Sequence, residues 1–388
     1  MRRYLRSLTI CAVAVIFFMP ISSYAKDVKN SEGPIFVRVA IAKDVGSVRL
    51  AITGRYKIIN SITKEVLFEE RYLPSSKLMP TPQGFKIDDI AIGAKTIAIE
   101  PTGKAKVYID GRIFRGEIKV LKNDRGLLII NILELEEYLY GVIRNEVSTW
   151  WPMEAIKAQA IAARTYALYQ IKESKGKDYD VTADVSSQVY GGIFSEKWRT
   201  NKAVDRTKGR VLVYRGSIFP TYYHATCGGA TFDASYLWKI DSPPLKGVKC
   251  DWCKRSPHYK WERWVLIREV KEKLEKAGYI LDDLVRLEPT KKDTSGRILE
   301  IRVKGKTNTV DIQGKEFRRI MGPNVLRSMN FRATLVGPYV AFEGLGWGHG
   351  VGMCQWGAYY MARRGKKTEE ILSFYYPGSK IVDYKDVK

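Results

Sequence analysis

One stretch in the middle of the chain constrains the fold more than any other. The run PMEAIKAQAIAARTYALYQIKES has helical spacing and carries Ala155, Ala158, Ala160, Ala162, Ala163 and Ala167, with Pro152 suited to the first turn. A helix clothed mostly in small side chains lets neighbouring elements come close, so we expect it to be buried. A second helical stretch, LEEYLYGVIRNEV, leads into it from about Leu135. Upstream, from Ile35 to about Ile132, short apolar runs such as FVRVAIA, SVRLAI, TIAIE and GLLIINI alternate with turn residues. Period-two alternation bounded by Gly, Lys and Asp predicts strands. Downstream, VLVYRG and IFPTYYHAT return to strand character, and residues 263–340 read as a separate α/β piece with a helix, VKEKLEKAG, and the strands ILEIRVKG and TVDIQG. A Gly-rich stretch, FEGLGWGHGVGMCQWGAYYMARRG, then passes from loop into helix, and no internal repeat is found.

The first 25 residues have a basic start at Arg2, Arg3 and Arg6, an apolar run from about Leu8 to Ile21, and Ser23-Tyr24-Ala25 before a polar continuation. That is the layout of a secretory signal peptide. The alternative is a transmembrane anchor, but the uncharged run is short of the ~20 residues a spanning helix needs. Cys11 lies inside this run, lacks a lipobox context and should leave with the signal. We therefore expect an exported protein of the periplasm or cell envelope, with no membrane span after signal cleavage. The net charge of +23, from 65 basic and 42 acidic residues, favours polyanions or serves solubility and loose surface association. No helix-turn-helix, zinc-finger or RNP-type pattern supports nucleic acid as the partner.

Glu146 ends one helical segment just before the aromatic loop STWWP. A carboxyl beside apolar rings is harder to ionise, which moves it toward a useful general acid; the alternative is an ordinary solvated glutamate at a helix end. Lys157 and Arg164 lie seven residues apart, on one face of the Ala-rich helix. Either they form structural ion pairs, or they line a cleft. Gln188 and Tyr190 in SSQVYGG, and His349 and Gln355 in the Gly-rich stretch, are neutral donors and acceptors of the kind glycan sites use, although each alone would more often be structural. The glycines at 344, 346, 348, 350 and 352 contain no GxGxxG and open no βαβ unit, which argues against a dinucleotide site. His224, Cys227, Cys250 and Cys253 read H-x2-C and, after 22 residues, C-x2-C. They suit a structural Zn2+, with His258 as a substitute ligand; the alternative is a disulfide such as Cys250–Cys253, given the oxidising compartment. Cys354 receives no role.

Four stretches, GVIRNEVSTWWPMEAIKAQAIAARTYAL, VSSQVYGG, YYHATCGGATFDA and GLGWGHGVGMCQWGA, together resemble the SpoIID/LytB family (stage II sporulation protein D) in content and order. The resemblance spans about Ile35 to Pro377. It implies a peptidoglycan lytic transglycosylase that cuts the MurNAc–GlcNAc β-1,4 bond, leaves 1,6-anhydroMurNAc ends and prefers denuded glycan strands. It matches Glu146 to the family's catalytic glutamate and tips Lys157 and Arg164 toward the cleft. No cofactor is required for that chemistry. Glycan strands are the expected partner, with a cell-wall amidase as a second candidate. The rival is a non-catalytic wall-binding or amidase-modulating protein, against which the intact Glu146, Lys157 and Arg164 argue. The fold expected is α+β, mixed: a β-rich N-terminal region over 33–132, and a helix-containing catalytic domain in two parts, 133–262 and 341–388, interrupted by an inserted α/β subdomain over 263–340. We further expect Glu146, Lys157, Gln188, His349 and Gln355 to converge on one groove walled by Trp150 or Trp151.

Overall fold

The structure, a computed structural model, describes residues 33–387. The signal peptide expected over 1–25 lies outside the described residues. Within them the fold is α+β. An eleven-stranded sheet occupies the N-terminal part and takes in Val181–Thr182 from beyond the helices. Its strands alternate as their sequences do: in Phe36–Val45, Val37 and Val39 are fully buried while Arg38 is half-buried. This strand pairs antiparallel with Gly126–Glu134 on one side and parallel with Val181–Thr182 on the other. The sheet thus grips the chain both before and after the helical layer.

The strand Gly126–Glu134 runs directly into helix α1 (Leu135–Glu146). Leu135, Tyr138, Leu139, Val142 and Ile143 recur at helical spacing and bury one face against the sheet core. Gly141 has no room for a side chain, because a Cβ there would sit 2.4 Å from the Tyr190 ring. That close approach brings the VYGG segment against α1, near its last residue.

Helix α2 (Met153–Glu173) has no polar face along its first half: every residue from Ala155 to Ala167 except Lys157 is buried. Its small side chains let α1, the helices Trp198–Asp205, Gln355–Arg363 and Thr368–Tyr375, and the strand Arg210–Tyr214 pack around it. Leu-sized side chains at these alanines would drive the neighbours apart.

Residues 260–345 carry their own apolar core, including Val270, Leu274, Ile301, Phe317 and Phe342. The strand Lys260–Leu266 pairs antiparallel with Tyr339–Leu345, so the piece leaves and rejoins the rest of the chain through neighbouring strands. A second sheet of three strands, Arg286–Lys292, Ile298–Lys304 and Thr309–Gln313, lies within it. One side chain reaches back. Arg297, fully buried, donates to the Ala230 carbonyl at 2.9 Å and to the Cys227 carbonyl at 2.6 Å. No helix among the described residues is long and apolar enough to cross a membrane.

Candidate active site

Glu146 is the last residue of α1, at the floor of a cleft of about 430 Å3 lined also by Arg144, Trp151, His258, Trp347, Gln355 and Trp356. The helix ends there as Val147 turns to extended backbone, its N–H still bonding to the Ile143 carbonyl. The Glu146 Oε1 accepts from the Val189 N–H at 3.2 Å, and Gln355 Nε2 approaches Oε2 at 3.5 Å. The nearby Tyr223 hydroxyl also favours the charged form. Burial pushes the Glu146 pKa above the usual carboxylate range, and these three donors only partly offset it. Among the described residues no cation is paired with it. The result is a carboxyl that holds its proton more tightly than a surface glutamate and still has donors ready to receive its charge.

Aromatic rings form the walls. Trp151 packs edge-on against Trp356 with centroids 5.2 Å apart, and His258 packs edge-on against Trp347 at 4.6 Å. Arg327, from the 260–345 piece, covers Trp347 with its guanidinium 4.6 Å from the ring centroid. Broad apolar faces beside a few fixed polar groups suit a ligand with both C–H faces and hydroxyls. A larger hollow of about 670 Å3 lies between strands of the 260–345 piece, but its carboxyls, Glu262 and Glu343, are exposed on the sheet. The smaller cleft is the one whose acid is half-buried and desolvated.

Of the expected residues, Glu146, Gln355 and Trp151 line the cleft, and Trp150 points outward at 84% exposure. Gln188 lies beneath, accepting from Tyr138 Oη at 3.1 Å and donating to Tyr223 Oη at 2.9 Å. His349 holds the backbone instead of facing the cleft: Nε2–H donates to the Tyr223 carbonyl at 2.9 Å and Nδ1 accepts from Val351 N–H at 3.1 Å. Both ring nitrogens are thereby used. Tyr190 is buried under α1, its hydroxyl donating to Asn131 Oδ1 at 2.8 Å. Lys157 pairs with Glu154 at 2.7 Å, and Glu154 in turn accepts from Thr368 at the start of the helix Thr368–Tyr375. Lys157, Tyr190 and His349 thus serve the scaffold.

Arg164 differs most from its expected place. Its guanidinium is fully buried, forked onto Glu136 at 2.7 and 2.8 Å and donating to the carbonyls of Val204 and Arg210 at 3.2 and 3.1 Å. It ties α1, α2 and the segment 204–210 together behind the cleft. Arg164→Met strands the Glu136 carboxylate and two carbonyls, and should cost about 3–5 kcal/mol, read as a lower urea midpoint. If Arg164 instead bound ligand, the same variant would weaken binding and leave that midpoint in place.

The cysteines gather differently from their spacing. Cys227, Cys250, Cys253 and Cys354 are all buried, with sulfurs within 4.8 Å of one another. Cys227 and Cys253 Sγ lie 3.3 Å apart, too far for a disulfide and near the edge of about 3.8 Å that a tetrahedron with ~2.3 Å metal–sulfur bonds requires. His224 stands outside this set, its Nδ1–H donating to the Val351 carbonyl at 3.1 Å. The fourth thiol of the cluster is Cys354, brought there as His224 and Cys354 pair in register in the parallel strands Tyr223–His224 and Met353–Cys354. His258 is likewise no member of the cluster and belongs to the cleft wall. Two N–H groups, of Cys227 at 3.2 Å and Gly357 at 3.3 Å, point at Cys354 Sγ, and among the described residues the Nε of the buried Arg297 has no partner. N–H donors and a buried cation beside sulfur are what metal-bound thiolates need.

Sequence reasoning missed Tyr223, Trp347, Trp356, Cys354 and Arg297. The first four lie inside the stretches YYHATCGG and GLGWGHGVGMCQWGA, so the signal was the segment and not the residue.

The family profile described as "Stage II sporulation protein" matches residues 123–214, which carry α1, Glu146 and α2. A second profile, a domain of unknown function, matches residues 249–352 and so takes in the inserted sheets and two of the four cysteines. An uncharacterized protein of Brachyspira hyodysenteriae is 32% identical across 90% of this chain and 94% of its own length. Stage II sporulation protein D of Bacillus subtilis is 31% identical across 64% of this chain and 74% of its own. The amidase enhancer of the same organism is 26% identical, covering 89% of this chain and 56% of that protein. With the matched segment containing Glu146 and the relatives extending over most of the fold, the chain belongs to the SpoIID/LytB family.

Proposed function

We propose that the protein is a peptidoglycan lytic transglycosylase, cleaving the MurNAc–GlcNAc β-1,4 bond of denuded strands in the cell envelope with Glu146 as its acid and base. The supporting observation is that Glu146 is the one carboxyl among the residues lining its cleft, half-buried there, with desolvation raising its pKa. Water-using glycosidases ordinarily need two carboxyls flanking the bond. One suffices when the nucleophile is the substrate's own C6 hydroxyl. Protonated Glu146 gives its proton to the glycosidic oxygen as the C1–O bond breaks. The resulting carboxylate, received by Val189 N–H, Gln355 and Tyr223, then takes the C6 hydroxyl proton while that oxygen closes the 1,6-anhydro ring on C1. Trp151, Trp347 and Trp356 supply faces for the sugar rings and limit water at C1.

The starting form is the protonated acid. Cleavage should therefore be flat in acid and fall as pH rises through the raised Glu146 value, later than an exposed glutamate would dictate. A pH series of turnover on denuded glycan reads this directly; a fall centred in the ordinary carboxylate range would contradict it.

The four thiols Cys227, Cys250, Cys253 and Cys354 would hold a structural Zn2+ in place of the set that included His224, with Arg297 offsetting its excess negative charge. Bound zinc would supply a cross-link between the segments around 227, 250 and 354, and these residues stand outside the proton path.

The amidase enhancer among the relatives favours a second reading, in which the cleft binds wall glycan and assists an amidase. Purified protein incubated with denuded glycan and no amidase separates the two: strand shortening supports the transglycosylase, and binding without shortening supports the enhancer.

A further inference from the structure

The chain has three histidines, and two of them are spent on the scaffold. His349 uses both ring nitrogens on backbone groups, and His224 gives Nδ1–H to the Val351 carbonyl. His258 is different. It lines the cleft with Glu146, half-buried, and among the described residues neither of its ring nitrogens has a hydrogen-bond partner. Nor are those nitrogens sealed from solvent, as His224 Nε2 is. They are open to a ligand. Packing and backbone hold the ring: its plane stands at 85° to the Trp347 indole with centroids 4.6 Å apart, and at 75° to Trp356 at 6.0 Å. The His258 N–H donates to Ser256 Oγ at 3.1 Å, and that oxygen meets Thr226 Oγ1 at 3.0 Å. One residue on, the Tyr259 carbonyl accepts from the Gly346 N–H at 2.8 Å, next to Trp347. The segment 256–259 is thus tied to the Gly-rich stretch and to the turn at 226, and its imidazole meets a ligand already in place.

We propose that His258 is a substrate-binding residue of the cleft, its free ring nitrogens hydrogen-bonding a hydroxyl of a sugar ring whose C–H face lies on the flanking tryptophans. The proposal rests on the cleft taking glycan, and it names a contact for a residue whose sequence neighbourhood suggested a metal ligand. Burial and the nearby Arg327 guanidinium, itself held over Trp347, both lower the His258 pKa and keep the ring neutral. A neutral imidazole carries one N–H donor and one acceptor nitrogen. That matches a hydroxyl, which also gives and accepts, whereas an anionic group calls for the imidazolium. Stacking on apolar rings leaves a sugar free to slide and turn. A fixed polar contact at its rim stops that motion and so decides which glycosidic oxygen faces Glu146.

The test is calorimetric binding of a denuded glycan oligosaccharide to Glu146→Gln protein, in which cutting is disabled, with and without a second change at 258. His258→Phe keeps an aromatic ring beside the indoles and deletes both nitrogens, and should weaken binding about 5- to 10-fold. The amides of His258→Asn and His258→Gln reproduce Nδ1 and Nε2 in turn, and one of the two should recover part of that loss. Affinity in His258→Phe equal to the parent's overturns the proposal, as does equal weakness in all three. A measurement without substitution at 258 covers the case in which these variants do not fold. Nitrogen NMR of histidine-labelled Glu146→Gln protein should show the His258 ring signals move as the oligosaccharide is added, while those of His224 and His349 stay. His258 signals that stay overturn the proposal. The readout is independent of cleavage: wild-type protein that binds this glycan without shortening it ends the transglycosylase reading and leaves the His258 contact standing. Where the wild type does cleave, His258→Phe in that background should raise KM with kcat little changed, and an unmoved KM overturns the contact.

Discussion

Glu146→Gln should abolish strand cleavage, lowering turnover at least ~10²-fold, while glycan binding survives and the folded protein becomes more stable at neutral pH. The loss of rate follows from the chemistry: the amide keeps the shape and can still meet Gln355, but it has no proton to give and no charge with which to take one. The gain in stability follows from linkage. Burial raises the Glu146 pKa in the folded protein above its unfolded value, so the native state binds more protons in the window between the two. Stability from this group is therefore whole below the unfolded value and is lost as pH rises to the native one. Each pH unit between the two values amounts to about 1.4 kcal/mol that glutamine does not lose. Thermal unfolding of both proteins across pH should show curves that coincide in acid and diverge toward neutrality, with the variant higher. Equal rates would remove Glu146 from the mechanism; an equal pH dependence of stability would mean that its carboxyl is not buried as described.

Cys354→Ser should be strongly destabilising although the H-x2-C and C-x2-C spacing leaves Cys354 out, and His224→Asn should be mild by comparison. Cys354 sits within the sulfur cluster and accepts two backbone N–H bonds, whereas His224 is attached only to the Val351 carbonyl. A structural zinc contributes to folding on the order of 10 kcal/mol, so losing one of four thiolates should remove stoichiometric metal and cost more than about 3 kcal/mol. His224→Asn should retain metal. Metal content of the two variants, together with their denaturation midpoints, checks the assignment. Zinc retained in Cys354→Ser and lost in His224→Asn would restore the ligand set suggested by H-x2-C and C-x2-C.

These cases show where the chain could be read from its residues and where it could not. The Ala-rich helix was legible because small side chains on every face admit few environments besides a packed interior. The N-terminal strands were legible through their period-two alternation, and the place of Glu146 beside aromatic rings through the STWWP loop that follows it. The eleven-strand order was not, since pairing depends on partners far apart in the chain. Lys157, Arg164, Tyr190 and His349 lie elsewhere than expected for a common reason: a polar residue in a distinctive motif can hold the scaffold instead of facing the cleft, and only the partner tells which. Arg164 has its carboxylate in Glu136, and His349 spends both nitrogens on backbone. The choice between His224 and Cys354 was beyond spacing, because neighbours in parallel strands bring two segments together and only one of the paired side chains faces the thiols.

The central claim is that a single carboxyl cuts the strand without water. Cleavage of denuded glycan in water labelled with heavy oxygen, followed by mass spectrometry of the fragments, tests it most directly. The account predicts 1,6-anhydroMurNAc ends that carry no label and lie one water below the mass of a reducing end. Labelled reducing ends would make the protein a hydrolase and contradict it.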